Sequence, residues 1–367
     1  MSSTPLPALE RESIRFFLPG PSYVLDEVRQ ALTAPVLGHR SAEFKRVYAA
    51  VTEGLATLFA TAGDVYLATG SSTLVMESAV LSTVASSVLN LTNGSFSERW
   101  HAVSKMVGKD ADRVAVPWGE AVDPDLVRAA LRRKRYDAVT LIHNETSTGV
   151  LNPLPELARA VQEESDALLL VDTVSSLGGV PVATDELGLD VVIAGVQKAI
   201  AAPPGLVAFT LSDRAAERAQ AVPHRGFYTD LLRYRANHRE GGSTITTPAV
   251  NLFFALERQL EVLLSEGLPA RFERHRALRR ATELWAAGRG LAYASRSGPP
   301  SPTVSCLLAP PGRPAPELVR RLAGDGFTLG GGYGEWKETT FRIGHMGEVQ
   351  PADLAVLFSA LDSALDS

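Results

Sequence analysis

The segment VVIAGVQKAIAAPPGLVAFTL, from Val191 to Leu211, contains a single charged residue, Lys198. A run this apolar is long enough to cross a membrane, but Pro203, Pro204 and Gly205 would break a helix in its middle. It reads instead as strand, loop and strand inside a buried region. Burial disfavours the ammonium form of a lysine and lowers its pKa. The same condition makes the amine a nucleophile toward an aldehyde. A lysine can also lay its stem along apolar surface and keep its head in water, and on this segment alone that is the more frequent arrangement.

Outward from this segment, apolar runs of strand length recur. Val65 to Ala68, Val88 to Thr92, Val114 to Pro117, Ala138 to His143, Ala167 to Val171, Val191 to Ala194 and Leu206 to Leu211 are seven candidate strands. Most lack period-two alternation, as expected of strands covered on both faces. Between them lie amphipathic stretches: Ser97 to Val107, Pro124 to Arg133 with Asp123 as its cap, and Pro155 to Glu164. Alternating strands and helices predict right-handed crossovers and a largely parallel sheet. Beyond about Leu252 the pattern changes. A long helical run from Leu252 to Arg280 leads into strand-like Thr303 to Leu308 and Phe341 to His345, with helical Glu317 to Ala323 and Pro351 to Leu365. Ser295 to Pro302 reads as a loop, and Gly330 to Gly334 as a mobile loop with Tyr333 and Trp336 as wall residues. The expectation is a large α/β domain followed by a smaller α+β one.

Bulk properties exclude several roles. The chain has 367 residues, 45% of them hydrophobic and 21% charged, with a net charge of −5. That balance gives no electrostatic reason to expect a nucleic-acid or anionic-membrane partner. Arg132, Arg133, Lys134 and Arg135 read as a solvated helix face. A single cysteine, Cys306, excludes an intrachain disulfide and a cysteine-rich metal site, and no metal is expected. Met1 to Ser13 lacks the apolar core of a signal peptide, so the expected location is cytoplasmic.

Two further features bear on Lys198. Asp172 ends the run Ala167 to Val171, at the carboxyl end of a predicted strand, where open α/β sheets bind ligands. Strand Val65 to Ala68 runs into Thr69-Gly70-Ser71-Ser72-Thr73 and a helical pattern from Leu74 to Leu81, which offers backbone N–H groups and hydroxyls to one phosphate. Taken singly, Asp172 is a turn former and the Thr69 to Thr73 motif a helix cap. Together with a buried lysine they suit pyridoxal 5′-phosphate, which needs a lysine for its aldehyde, a carboxylate for its ring nitrogen and a phosphate cradle.

The chain resembles the class V aminotransferases of PLP fold type I, in the alanine–glyoxylate and serine–glyoxylate (pyruvate) branch. The resemblance runs from Leu18-Pro19-Gly20-Pro21 to Arg342-Ile343-Gly344-His345-Met346-Gly347. It passes through Gly38-His39-Arg40-Ser41, Asn93-Gly94-Ser95-Phe96, His143-Asn144-Glu145-Thr146-Ser147-Thr148-Gly149, Asp172-Thr173-Val174-Ser175-Ser176 and Gly195-Val196-Gln197-Lys198. It implies an N-terminal arm over 1–17, a large domain over 18–265 with a mostly parallel seven-stranded sheet, and a small domain over 266–367. It implies Lys198 as the catalytic Schiff-base lysine, Asp172 on the ring nitrogen, and Val174 and Phe96 on the two ring faces. Thr146 would bond the phenolic oxygen, and Ser71, Ser72, Thr73 and Gln197 the phosphate, although Ser72 stands where a glycine is common. Arg342 would clamp the substrate carboxylate, with Gly20 also on the substrate side. The family's site lies at a homodimer interface, and the matching partner segment is Ser243 to Pro248, with Thr244 and Thr247 favoured. It lacks the tyrosine seen in some relatives.

The implied activity is ping-pong transfer of an amino group from alanine or serine to glyoxylate or pyruvate. A second reading is phosphoserine aminotransfer, with His39 and Arg40 on the substrate phosphate. Cysteine desulfuration needs a cysteine on a mobile loop, whereas Cys306 falls in a strand-like run. An inactive PLP-fold binding protein is disfavoured because Lys198, Asp172 and Arg342 are all present.

Overall fold

A computed structural model describes residues 14–366. Its strands are β1 (Phe16–Phe17), β2 (Val65–Thr69), β3 (Ser87–Thr92), β4 (Asp110–Ala115), β5 (Ala138–Ile142), β6 (Asn144–Glu145), β7 (Val150–Leu151), β8 (Leu168–Asp172), β9 (Val191–Gly195), β10 (Leu206–Thr210), β11 (Val304–Leu308), β12 (Thr328–Gly331) and β13 (Thr340–Gly344). Its α-helices are α1 (Asp26–Ala31), α2 (Ala42–Phe59), α3 (Ser72–Thr83), α4 (Ser95–Met106), α5 (Pro124–Arg133), α6 (Leu154–Glu164), α7 (Asp213–Gln220), α8 (Leu231–Gly241), α9 (Val250–Glu266), α10 (Leu268–Gly288), α11 (Ala315–Gly324) and α12 (Pro351–Asp366).

The seven strands read from the sequence form one sheet in the order β2-β10-β9-β8-β5-β3-β4, parallel except for β10, which runs antiparallel to both neighbours. The missing alternation is explained by two cores. One face of the sheet, with Leu67, Leu141, Val171 and Val192, packs against α2, α5, α6 and α9. The other, with Ala68, Ile142, Leu170 and Ile193, packs against α3, α4, α7 and α8. Each such valine, leucine or isoleucine contributes about 1.5–3 kcal/mol on full burial, so a sheet covered on both sides is a rigid support for what sits at its edge. At α5 the Asp123 carboxylate accepts from the Asp125 amide at 2.9 Å, as expected of its cap.

A second, four-stranded sheet has the order β1-β12-β13-β11 and packs on α10, α11 and α12 around Phe341, Ile343, Leu318 and Leu357. Arg342 therefore lies on an interior strand. Four expectations need correction. The helical run from Leu252 to Arg280 is two helices, because Gly267 turns the chain at φ +81° and Pro269 follows in the first turn of α10. The glycine-rich loop begins as strand: Gly330 and Gly331 pair with Arg342 and Phe341. The Val114 to Pro117 strand starts earlier, at Asp110, because β4 is an edge strand whose exposed polar residues hide it. Lys134 and Arg135 lie beyond the end of α5, and Lys134 pairs with Asp110 and Asp112. Of the arm expected over 1–17, residues 1–13 lie outside the described residues, and Phe16–Phe17 forms a strand parallel to β12.

Among the described residues no helix is long and apolar enough to cross a membrane, and no group of His, Cys, Asp and Glu could hold a metal.

Candidate active site

The carboxyl ends of β2, β5, β8 and β9 lie at one edge of the sheet, and the loops leaving them enclose a cavity. Lys198, Asp172, Val174, Phe96, Thr146, Gln197 and Ser71 to Thr73 all line it. The geometry thus brings together most of the residues singled out from the sequence.

Lys198 follows β9 by three residues, and its Nζ donates to the Pro19 carbonyl at 2.5 Å. That carbonyl is delivered by the Leu18 to Ser22 loop, which is pinned by Ser22 N to Gln197 O (2.9 Å) and Ser22 Oγ to Lys198 O (2.8 Å). Gly20, at φ +120°, passes so close that a Cβ there would lie 2.8 Å from Lys198 Nζ. Only glycine leaves the lysine its course. Burial, and next the positive field of Arg342, pull the Lys198 amine down to about 8.

Asp172 is the last residue of β8, and its Oδ1 accepts from the Val174 amide at 2.6 Å. Burial is the main cause that raises its carboxyl to about 7. A fixed cation at its other oxygen would reverse that shift. Val174 lines the cavity on this side, while the Phe96 ring lies 5.5 Å from Lys198 Nζ. Phe96 is seated by Glu145, a buried carboxylate from β6 that takes the Phe96 and Ser97 amides at the start of α4.

At the far end, α3 begins at Ser72 with no side-chain cap on its free N–H groups. Ser72 Oγ is buried without a partner among the described residues. Gln197 converges on it: a Cβ on Gly195 would lie 2.5 Å from Ser72 Oγ and 2.6 Å from Gln197 Oε1. Unpaired hydroxyl, free amides and amide side chain make a cradle suited to one phosphate. Thr146 Oγ1 and Ser175 Oγ share a hydrogen bond of 2.5 Å.

Arg342 borders the cavity at Thr146. Its Nε donates to Gly331 O at 2.8 Å and its Nη1 to Thr146 O at 3.1 Å. It is buried, burial lowers its pKa, and among the described residues no carboxylate pairs with it. A guanidinium so placed is an incomplete ion pair, and a bound carboxylate would complete it.

Four sequence candidates do not reach this cavity in the single chain. His39 and Arg40 lie on a surface loop, tied to the Ser243 segment by Ser243 Oγ to His39 O at 2.8 Å. Thr244 is half-buried and bonds the Thr246 carbonyl, and Thr247 is exposed. Cys306 is buried in β11 with its thiol pushed up to about 11 by burial, which removes it from nucleophilic work. Tyr333 lies 5.4 Å from Phe96 as a wall residue, whereas Trp336 packs on Trp118.

Two residues escaped the sequence reading. Arg99 lines the cavity, yet one arginine in an amphipathic helix carries no signal. Asn144 lines it with both amide atoms buried and unpaired among the described residues. Its position within the His143 to Gly149 motif was visible, but its orientation was not.

The family model for aminotransferase class V matches residues 27–284. The "Soluble hydrogenase, small subunit" of a Synechococcus strain is 38% identical over 97% of this chain and 94% of its own length. The serine–glyoxylate aminotransferase of Methylorubrum extorquens is 31% identical over 95% of this chain and 90% of its own. The crystal structure of an alanine–glyoxylate aminotransferase from Nostoc sp. superposes with a TM-score of 0.91 at 29% identity, covering 99% of this chain and 98% of that one. With the lysine, the carboxylate and the phosphate cradle at one sheet edge, these similarities make the chain a member of the class V aminotransferase family.

Proposed function

We propose that this class V aminotransferase, a pyridoxal 5′-phosphate enzyme, moves the amino group of alanine or serine onto glyoxylate or pyruvate. The observation that carries the reading is the convergence of Lys198 and Asp172 on one cavity, with Arg342 at its border on the Thr146 carbonyl and without a carboxylate partner among the described residues. The names of the Methylorubrum and Nostoc relatives support the substrate class.

Ser71, Ser72, Thr73 and Gln197 would hold the cofactor phosphate. Asp172 would hold the ring nitrogen, Phe96 and Val174 the ring faces, and Thr146 and Asn144 the polar edge. When bound, the cofactor supplies an electron sink that stabilises negative charge at the substrate α-carbon. Every other task falls to the chain. Arg342 orients the substrate through its carboxylate, so that the α-proton points at Lys198. Lys198 Nζ, unprotonated over a useful fraction of neutral solution, would take that proton from the α-carbon and return it two atoms along, to the carbon on the other side of the amino nitrogen. Its seat under Gly20 and Pro19 limits the path between the two positions.

The Ser243 to Pro248 segment and the His39-Arg40 loop meet through Ser243 Oγ and His39 O, and neither lines the chain's own cavity. A homodimer in which the partner subunit's Thr244 and Thr247 reach the phosphate cradle accounts for their position.

The test is the visible band of the purified protein during single additions of alanine and serine without a keto acid. Bleaching with one donor, reversed by glyoxylate, is the expected result, and the band should not form in Lys198→Ala. A persistent band that no amino acid bleaches would refute the reading.

A further inference from the structure

One face of α10 carries Arg271, Arg274 and His275, at i, i+3 and i+4. Arg271 and His275 are fully buried. All three guanidinium nitrogens of Arg271 are engaged: Nε donates to Gly178 O, Nη2 to Ala199 O and Glu348, and Nη1 to Glu266, each at 2.9 Å. Gly178 is in the turn after Asp172, Ala199 follows Lys198 directly, and Glu348 is in the turn after Arg342. Arg274 and His275 hold the last of these turns as well. Arg274 Nη1 donates to Gly347 O at 3.0 Å and to Val349 O at 2.7 Å, and the Gly347 amide donates to His275 Nε2 at 3.1 Å. The turns also meet each other, since a Cβ on Gly347 would lie 2.8 Å from the Ala201 Cβ. Ala201 holds φ +68°, a left-handed conformation that a residue with a side chain rarely adopts. Such strain persists only where the surroundings over-determine it, and the Arg271 bond to Ala199 O lies just ahead of it.

A buried ion-pair cluster adds little net stability, because desolvation offsets the Coulomb attraction. Its directional bonds supply position instead. Lys198 follows a strand of the large sheet and Arg342 lies on the small one, so no single sheet sets the distance between them. We propose that Arg271 is a positioning residue for proton transfer, which fixes the amine that takes the α-proton relative to the guanidinium that orients the substrate. This inference rests on the aminotransferase reading of Lys198 and Arg342. Arg271 does not line the cavity and acts only through the three turns it bonds. A displacement of about 1 Å can cost on the order of 10²-fold in the rate of a positioned reaction. Substrate binding is less exposed to it, because Arg342 keeps its own bonds to Gly331 O and Thr146 O.

Arg271→Lys keeps the charge beside Glu266 and Glu348 but loses the fork that reaches Gly178 O and Ala199 O. In cofactor-free protein, hydrogen–deuterium exchange should quicken together in the turns after Asp172, Lys198 and Arg342, while β8 and β9 stay protected. In the holoenzyme, the bleaching rate at saturating alanine or serine, per bound cofactor, should fall at least about tenfold. The half-saturating concentration should change little, the signature of a loss confined to the transition state. Glu348→Gln weakens one of the Arg271 contacts, should give the same pattern in smaller degree, and carries the comparison if Arg271→Lys does not fold. Wild-type exchange in the three turns, or an unchanged rate per bound cofactor in a variant that melts at lower temperature, would overturn the positioning role. A wild-type band that no amino acid bleaches would sink the aminotransferase reading instead, and the exchange pattern would still decide whether Arg271 joins the three turns.

Discussion

Burial moves the two central ionisable groups in opposite directions: the Lys198 amine is pulled down to about 8 and the Asp172 carboxyl raised to about 7. The amine must be neutral to attack an aldehyde, so its reactive fraction grows as pH rises through about 8. An ordinary lysine keeps gaining until about 10.4. Below about 7 Asp172 takes a proton and no longer attracts a cationic ring nitrogen. Capture of added pyridoxal phosphate by cofactor-free protein should therefore be weak at pH 6, rise through neutrality and level off above pH 8–9. Asp172→Asn should weaken capture at every pH and leave only the limb set by Lys198, centred near 8. A capture rate still climbing tenfold per pH unit at pH 10 would show that Lys198 is an ordinary surface lysine. At this scale legibility followed contrast. Lys198 stood out as the single charge in an apolar segment, and Asp172 as the polar end of an apolar strand. Arg99 looks like any arginine on an amphipathic helix, and Asn144 announces itself only by its unpaired amide.

At the scale of elements, the strands buried on both faces were plain because continuous apolar sequence has one explanation there, coverage by helices on each side. The polar edge strand β4 and the glycine-rich β12 were harder. Their pairing partners, β3 and β13, decide them rather than their own composition. The break between α9 and α10 rests on one positive-φ glycine within an apolar period that continues past it. It has a consequence for the site. The break lets α10 place the fully buried Arg271 where it donates to Gly178 O and Ala199 O, both at 2.9 Å, and pairs with Glu266 and Glu348. One side chain thereby ties the turns that follow Asp172 and Lys198 to the turn that follows Arg342. None of this could be read from the spacing of charges along the chain.

The whole molecule is where one chain stops being sufficient. His39, Arg40, Thr244 and Thr247 match segments of the resemblance, yet they do not line their own cavity, as residues that serve a partner's site would not. Sedimentation should give one species at about twice 39.2 kDa. A monomer that holds the cofactor with full affinity would remove the shared site. The central claim is narrower: Lys198 carries the cofactor. Borohydride reduction of the holoenzyme, followed by peptide mass mapping, tests it most directly. The account predicts a single pyridoxyl label on the peptide containing Lys198, and none in Lys198→Ala. A label on another lysine, or a reduced protein with no label, would contradict it.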